Sequence, residues 1–363
     1  MLKEVKKLTS FFHLKALVSL LPMGEAILVK DLFDHWEKWQ IVDVRSPGEF
    51  RVGHIPGAVN IPLFSDEERA IVGTLYTQYS PEEAFREGLR IAGLRMQGLV
   101  DEVQALGDIK NGKDILIHCW RGGKRSQAVQ WLFNFSGTPC QRLEGGYKSF
   151  RTSLHSFFNE FKYELSVIGG CTGAGKTEIL NALASIGEQV LDLEKLANHK
   201  GSAFGSIGEE SQPTSEQFEN NIFLACLDFD ASKPVWIENE SRSIGKAHLP
   251  EGLWRAMKKS VLYNIDVDED VRLQRVMRYY SEQVDIALLK NAFEKIHERL
   301  GGLDYKNAMH ALETGDLESA ASIALKYYDK AYMYQLSSWP KEQVKHLADC
   351  NDVEETAGRL LVM

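Results

Sequence analysis

Cysteines in metal-ligand spacing are missing from this chain, long apolar runs are missing, and so is any excess of basic residues. The five cysteines (Cys119, Cys140, Cys171, Cys226 and Cys350) are scattered with no CxxC pair, and an odd set closes no disulfide framework. That usage fits a reducing cytoplasm, the expected location. No stretch reaches the roughly 18 apolar residues of a membrane helix, so no membrane partner is expected. A net charge of −9 excludes a protein that coats DNA or RNA without preference and leaves only a local face to read a structured RNA. Repeats and low-complexity tracts are absent as well. The N-terminal lysines followed by Phe11 to Val18 imitate a signal peptide, but His13 and Lys15 interrupt the apolar core and no small-residue cleavage site follows. Residues 1–24 therefore read as an N-terminal extension. What is present, 44% hydrophobic and 26% charged residues over 363 positions, is the make-up of a globular protein of two domains.

Alternating short apolar runs and helical stretches predict an α/β fold in two blocks. In the first, residues 25–155, Gln40 to Arg45, Ala58 to Ile61 and Lys113 to His118 read as buried strands of a parallel sheet. A mostly helical segment, residues 65–106, reads as an insertion between them. The second block, residues 156–363, has strands at Glu164 to Gly169, Pro234 to Glu238 and Val261 to Ile265, a helix at Thr177 to Ser185, and C-terminal helices from about residue 270. On the first of these, Val271, Leu273, Val276 and Met277 share one face. The spacing of Arg272, Arg275 and Arg278 resembles the lid arginines of small kinases, while an exposed helix face is the plainer reading.

Two anion cradles of different chemistry stand out. His118-Cys119-Trp120-Arg121-Gly122-Gly123-Lys124-Arg125-Ser126 carries a thiol from a strand end into a loop that starts a helix. The loop N–H groups, the helix N-terminus and the cations Arg121 and Arg125 favour thiolate, so Cys119 is the expected nucleophile. Five residues separate Cys119 from Arg125, which resembles the phosphate cradle of dual-specificity phosphatases and suits a tetrahedral phosphate-like group. In this reading Arg125 and the loop, with Arg121, Gly122, Gly123, Lys124 and Ser126, hold the phosphate of a chalcogen donor while Cys119 attacks the chalcogen. Trp120, beside the nucleophile, stacks on a base or an apolar chain, or packs the loop.

The second cradle, Gly170-Cys171-Thr172-Gly173-Ala174-Gly175-Lys176-Thr177, is a full P-loop between a strand and a helix. Gly170, Thr172, Gly173, Ala174 and Gly175 supply backbone donors, Lys176 bridges terminal phosphates, and Thr177 is the residue that would hold Mg²⁺. ATP is the default ligand, yet any diphosphate ester fits. Glu238 and Glu240 follow a strand where P-loop proteins keep a metal- or water-organising carboxylate, with Arg242 close behind. His199, in a polar loop with Gly201 and Ser202, is a further candidate for substrate binding. No tightly bound cofactor and no dedicated metal site is read from the residues.

Asp43 to Phe50 and Gly53 to Pro62, with Cys119 and Leu143-Glu144-Gly145-Gly146-Tyr147, closely resemble the rhodanese signature, which implies a rhodanese-like domain over residues 25–155 with a chalcogen-carrying cysteine. The succession of this domain and the P-loop resembles the tRNA 2-selenouridine synthase family. So do Asp66 to Ala70, Val72 to Tyr76, Asp192 to Glu194, Ala197 to Gly205, Glu238 to Gly245 and Tyr327 to Asp329. The resemblance implies exchange of sulfur for selenium in 2-thiouridine at the wobble position of tRNAs for Lys, Glu and Gln, by way of the anticodon arm. It implies selenophosphate as donor, an enzyme that supplies it as a partner, and a geranyl transfer from geranyl diphosphate that first alkylates the sulfur. The P-loop would then hold that diphosphate. Two positions depart from the family pattern: Asn239 stands where an acidic residue is expected, and Lys200 where arginine is. The competing readings are a rhodanese-fold phosphatase, another sulfurtransferase with a nucleotide-binding domain, and a non-enzymatic anion sensor joined to a nucleotide switch.

Overall fold

The computed structural model describes residues 25–280 and 285–363, so the N-terminal extension, residues 1–24, lies outside the described residues. Two compact units divide the chain, one ending at Ser156 and the other starting at Phe157. No helix among the described residues is long and apolar enough to cross a membrane.

The first unit runs β1 (Ala26–Ile27), α1 (Val29–Asp34), β2 (Trp39–Asp43), α2 (Pro47–Val52), β3 (Val59–Asn60), α3 (Asp66–Gln78), α4 (Pro81–Gln104), α5 (Gly107–Lys110), β4 (Asp114–His118), α6 (Lys124–Phe135), β5 (Cys140–Leu143) and α7 (Gly146–Asn159). Its parallel sheet has the order β1-β5-β4-β2-β3. Both faces of the central strands are covered, which is why β2 is buried throughout and β4 along all but its first residue. Ser65 and Ser80 cap α3 and α4, and Pro81 opens α4 where its missing N–H costs nothing. The two helices are antiparallel neighbours, and Ile91, Leu99 and Val103 of α4 join the core beneath β4.

The second unit runs β6 (Leu165–Gly169), α8 (Lys176–Ser185), β7 (Gln189–Leu191), α9 (Leu193–Ala197), α10 (Ser215–Leu227), β8 (Val235–Glu238), the hairpin β9 (Ser243–Ile244) and β10 (Ala247–His248), α11 (Glu251–Lys259) and β11 (Val261–Ile265). Then come α12 (Glu269–Tyr280), α13 (Ile286–Leu300), α14 (Gly302–Thr314), α15 (Leu317–Leu336), β12 (Val344–Leu347) and α16 (Val353–Leu360). The parallel sheet order is β12-β11-β6-β8-β7. The helical tail is present, and it also returns a strand: β12 pairs with β11 at the sheet edge, a half-buried run too polar to announce itself as a strand. A second apolar cluster, built on Phe204, Phe293 and Leu312, holds α13 to α15 together.

In both units the anion loop leaves the carboxyl end of the middle strand of a five-stranded parallel sheet, β4 for the cysteine and β6 for the P-loop. Ligands of open α/β sheets gather at that end because the loops there are free to diverge. The last residues of α7, from Phe157, belong to the second unit, and there Gly252 in the first turn of α11 lies against the Phe158 carbonyl, so closely that an added Cβ would overlap the oxygen. Gly252→Ala is therefore expected to cost about 1–3 kcal/mol through overpacking, read as a lower urea midpoint; an unchanged midpoint would show that α11 shifts freely.

Candidate functional site

Beneath the cysteine loop lies a set of buried polar residues. The β2–β4 register sets Asp43 opposite His118, and both are fully buried. Arg45 donates from Nε and Nη2 to the Asp43 carboxylate at 2.6–3.0 Å, donates to the Gly53 carbonyl at 2.7 Å, and lies 4.0 Å over the Tyr147 ring. Burial opposes the Asp43 charge, but neighbouring His118 and Arg45 more than offset it and keep the carboxyl below its ordinary range. Burial lowers the His118 pKa against the pull of Asp43. The rhodanese-type Asp43-x-Arg45 pair thus anchors the strand ends under the loop.

The loop itself is turned inside out by its neighbours. Tyr147 N–H donates to the Cys119 carbonyl and Lys148 N–H to that of Trp120, each at 2.9 Å, and Arg142 donates to the Gly122 carbonyl. Among the described residues, the N–H groups of Arg121 to Arg125 donate to no protein acceptor. Captured carbonyls with left-over N–H groups are the requirement for an anion-binding nest. It depends on two glycines at positive φ: Gly122 at +64°, where a Cβ would come 2.7 Å from the Leu143 carbonyl, and Gly146 at +61°, where a Cβ would strike the Cys119 carbonyl.

Cys119 is 3% exposed, with Sγ 3.3 Å from the Ser126 hydroxyl. Arg125 is held by a residue the sequence reading did not assign to the site: its two terminal nitrogens meet the two Glu49 oxygens at 2.6 and 3.2 Å. Glu49 also closes the capping box of α2 with Ser46, so helix start and arginine fork are fixed together. Arg69 of α3 approaches Glu49 at 3.8 Å, and Lys124 lies 4.9 Å over the Phe85 ring of α4, so the helical insertion borders the loop. Arg121 and Trp120 are exposed on it.

The P-loop is braced the same way. Gly173 and Gly175 have φ near +80°, and a Cβ on Gly173 would lie 2.8 Å from the Arg272 carbonyl. Arg272 donates to the Thr172 carbonyl at 3.1 Å and to both Asp329 oxygens at 2.9 and 2.8 Å. Arg275 donates to the Ala174 carbonyl at 2.9 Å and to that of Asn351 at 2.8 Å. The exposed-face reading of these arginines is corrected: Arg272 and Arg275 are buried and only Arg278 is exposed, because loop carbonyls need donors more than α12 needs a wet face. Lys176 Nζ reaches the Gly170 carbonyl at 3.3 Å, and the Thr177 hydroxyl donates to Glu194 at 3.2 Å.

Four carboxylates, Asp192, Glu194, Glu238 and Glu240, share this end of the sheet, and burial raises the pKa of each. Glu240 is pushed up to about 7, by burial first and by Glu194 next. Glu240 lines the P-loop cavity, whereas three other candidates do not. Glu238 is buried behind Glu194, accepting its N–H at 2.8 Å. His199 packs beneath its own loop, its ring about 2.9 Å from where a Gly205 Cβ would stand. Arg242 points elsewhere and pairs with Glu251 at 2.6 Å. Asn239, the departure from the acidic pattern, accepts a hydrogen bond from Gln335 of α15 at 3.5 Å.

The cavity encloses about 600 Å³. Lys176, Thr177 and Glu240 line it, as do Leu289, Phe293 and Leu312, with Ala320, Ala321 and Ala324 on α15. Helix α15 links the two ends: Asp329 binds the P-loop arginine Arg272, and Ala320 lies nine residues earlier, about 13 Å along the axis at the usual helical rise. The sequence signal for this wall was there in the small residues at helical spacing, but nothing local says that such a stripe borders a space.

Glu49 yields a pH prediction. Burial opposes its charge, yet the Arg125 bonds keep its pKa below the ordinary value. A depressed carboxylate contributes stability that is present above its unfolded pKa, about 4.3, and is lost as pH falls through the folded value. Glu49→Gln should melt lower than the parent at neutral pH and lose less on acidification; parallel acid limbs in thermal melts would show that the pair stabilises nothing.

The family model described as the tRNA 2-selenouridine synthase AAA domain matches residues 163–359, and that of the rhodanese-like domain matches residues 26–153. A protein of Nitrosomonas europaea named tRNA 2-selenouridine synthase is 37% identical over 246 residues, 66% of this chain and 63% of that protein. A protein of the same name from Pseudomonas syringae pv. tomato is 32% identical over 328 residues, 81% of this chain and 88% of its own length. One from Shewanella denitrificans is 32% identical over 332 residues, covering 82% and 88%. With an N-terminal rhodanese-like domain, a P-loop domain behind it and relatives matched over most of the length, the chain belongs to the tRNA 2-selenouridine synthase family.

Proposed function

We propose that the protein is a tRNA-modifying transferase that converts 2-thiouridine at the wobble position of tRNAs for Lys, Glu and Gln into 2-selenouridine through an S-geranylated intermediate. The observation that carries this reading is the P-loop cavity, polar at Lys176 and apolar along Leu289, Phe293 and the alanine row. Geranyl diphosphate has that same division into an anionic head and a hydrocarbon tail. In the first step the thiocarbonyl sulfur attacks the first geranyl carbon, the carbon–oxygen bond breaks, diphosphate leaves on the P-loop, and the ring N3 proton is lost. Lys176 balances the charge of the leaving group, and Thr177 with Glu194 is the pair that would hold Mg²⁺ beside it. In the second step selenium from selenophosphate adds at C2 and the sulfur leaves as geranylthiol, a far better leaving group than the unalkylated sulfur. An enzyme that makes selenophosphate is the partner this chemistry requires, and the free cysteines suit the cytoplasm.

Purified protein given 2-thiouridine tRNA and geranyl diphosphate should yield the S-geranyl nucleoside by mass spectrometry, and 2-selenouridine once selenophosphate is added. Unchanged 2-thiouridine in both reactions would sink the reading. Ala324→Leu, which adds bulk to the cavity wall, should shift preference from geranyl toward dimethylallyl diphosphate by about tenfold or more, the effect of a filled apolar pocket; an unaltered ratio would mean that the tail lies elsewhere.

A further inference from the structure

We propose that Lys200 is a second binding cation for the diphosphate, held at rest by Glu209 and turned to the leaving group when the prenyl donor enters. The inference rests on the reading of geranyl diphosphate as the P-loop ligand and adds a residue to that site. The starting point is charge. The cavity lining carries more carboxylates than cations, so an entering diphosphate meets a shortage of positive charge. Of the four cations there, Lys176 belongs to the P-loop, and Arg275 is committed to the Ala174 and Asn351 carbonyls. Lys195 is exposed, with its charge falling on Asp192. Lys200 is the remaining one. Its Nζ lies 3.0 Å from a Glu209 oxygen, and both members of this pair line the cavity.

The loop that carries the pair holds Lys200 on the P-loop side. Burial raises the pKa of Glu194, while Lys176 and, less strongly, Lys200 pull it down, so the two lysines act on one carboxylate. That carboxylate accepts the Thr177 hydroxyl at 3.2 Å. The loop turn rests on the same place: at Gly201, with φ +68°, a Cβ would come 3.0 Å from a Glu194 oxygen and 2.8 Å from one of Glu240. Beyond the turn the backbone is pinned. Ala203 N–H donates to the Tyr328 hydroxyl at 2.9 Å, and the Phe204 ring meets that of Phe293 edge-on at 5.0 Å. Exchange of partners is therefore a swing of the lysine side chain on a fixed loop. Two properties favour it. A lysine–carboxylate pair with side chains 39% and 28% exposed contributes little on its own, whereas a diphosphate offers several charged oxygens to one ammonium. The charge on those oxygens also grows as the carbon–oxygen bond to geranyl breaks and its electron pair leaves with diphosphate, so Lys200 contributes most in the transition state.

The test titrates the full chain with inorganic diphosphate by calorimetry and follows geranylation of 2-thiouridine tRNA by mass spectrometry. Lys200→Ala should weaken the Kd of inorganic diphosphate about tenfold or more, the loss of one charge-assisted hydrogen bond. It should lower kcat for geranyl transfer by more than it raises KM for tRNA. Lys200→Arg keeps the charge and should bind as the parent does. Glu209→Gln should act in the opposite direction and tighten the Kd, because it leaves the lysine to the anion. An ion pair that only braces the loop predicts one direction for both: shifts of the same sign, or an unaltered Kd in Lys200→Ala, overturn the proposal. Should Lys200→Ala fail to fold, Glu209→Gln decides, a tighter Kd supporting the proposal and an equal or weaker one overturning it. Opposite shifts in a protein that forms no S-geranyl nucleoside would sink the proposed function and leave the role of Lys200 toward diphosphate standing. Geranylation at the parent rate in every variant, with the Kd unmoved, would sink this inference alone.

Discussion

Capture of backbone carbonyls is the interaction on which both anion sites depend. A loop of peptide units can face a ligand with its N–H groups only if the opposite ends of those units are satisfied elsewhere. In the cysteine loop Tyr147, Lys148 and Arg142 take up the carbonyls of Cys119, Trp120 and Gly122. In the P-loop Arg272, Arg275 and Lys176 do the same for Thr172, Ala174 and Gly170. The glycines follow from this: Gly146 is bare because the Cys119 carbonyl passes over it, and Gly173 because α12 presses on the loop tip. Two unrelated chemistries thus share one construction, each at the end of a middle strand where a parallel sheet leaves its loops free.

What the sequence made legible follows the same division. Both cradles, their strands and their helices were readable, because glycine spacing and apolar runs are local signals. Glu49 was not read as a site residue, since its partnership with Arg125 spans 76 positions and arises only when α2 packs beside the loop. The arginines of α12 were misread for a related reason: periodicity treats charge as a solvent marker, while Arg272 and Arg275 are buried to serve carbonyls of another element. His199 and Arg242 carried suggestive chemistry and good neighbours, but burial removes the first from the cavity and an ion pair with Glu251 holds the second apart. The apolar wall was invisible as a wall, because alanines that pack a helix and alanines that border a space look alike until the helices are assembled.

In the proposed scheme the two sites divide the reaction by the kind of leaving group each handles. The P-loop receives diphosphate, a stable polyanionic group that needs positive charge and backbone donors. The cysteine loop is the site assigned to the selenophosphate step, in which selenium replaces the alkylated sulfur. Neither step of this scheme requires nucleotide hydrolysis, and Lys176 shares the P-loop cavity with Lys195, Lys200 and Arg275 as well as with the buried carboxylates Glu194 and Glu240. Alkylation at one site creates the substrate for the other, so the two acts are ordered by chemistry alone.

Separate sites for separate steps is the central claim, and the P-loop lysine tests it most directly. Lys176→Ala should fail to geranylate 2-thiouridine tRNA, yet convert tRNA supplied already S-geranylated into 2-selenouridine at a rate close to that of the parent. Equal loss of conversion from both substrates, with the protein folded, would contradict the account and place both steps in one cavity.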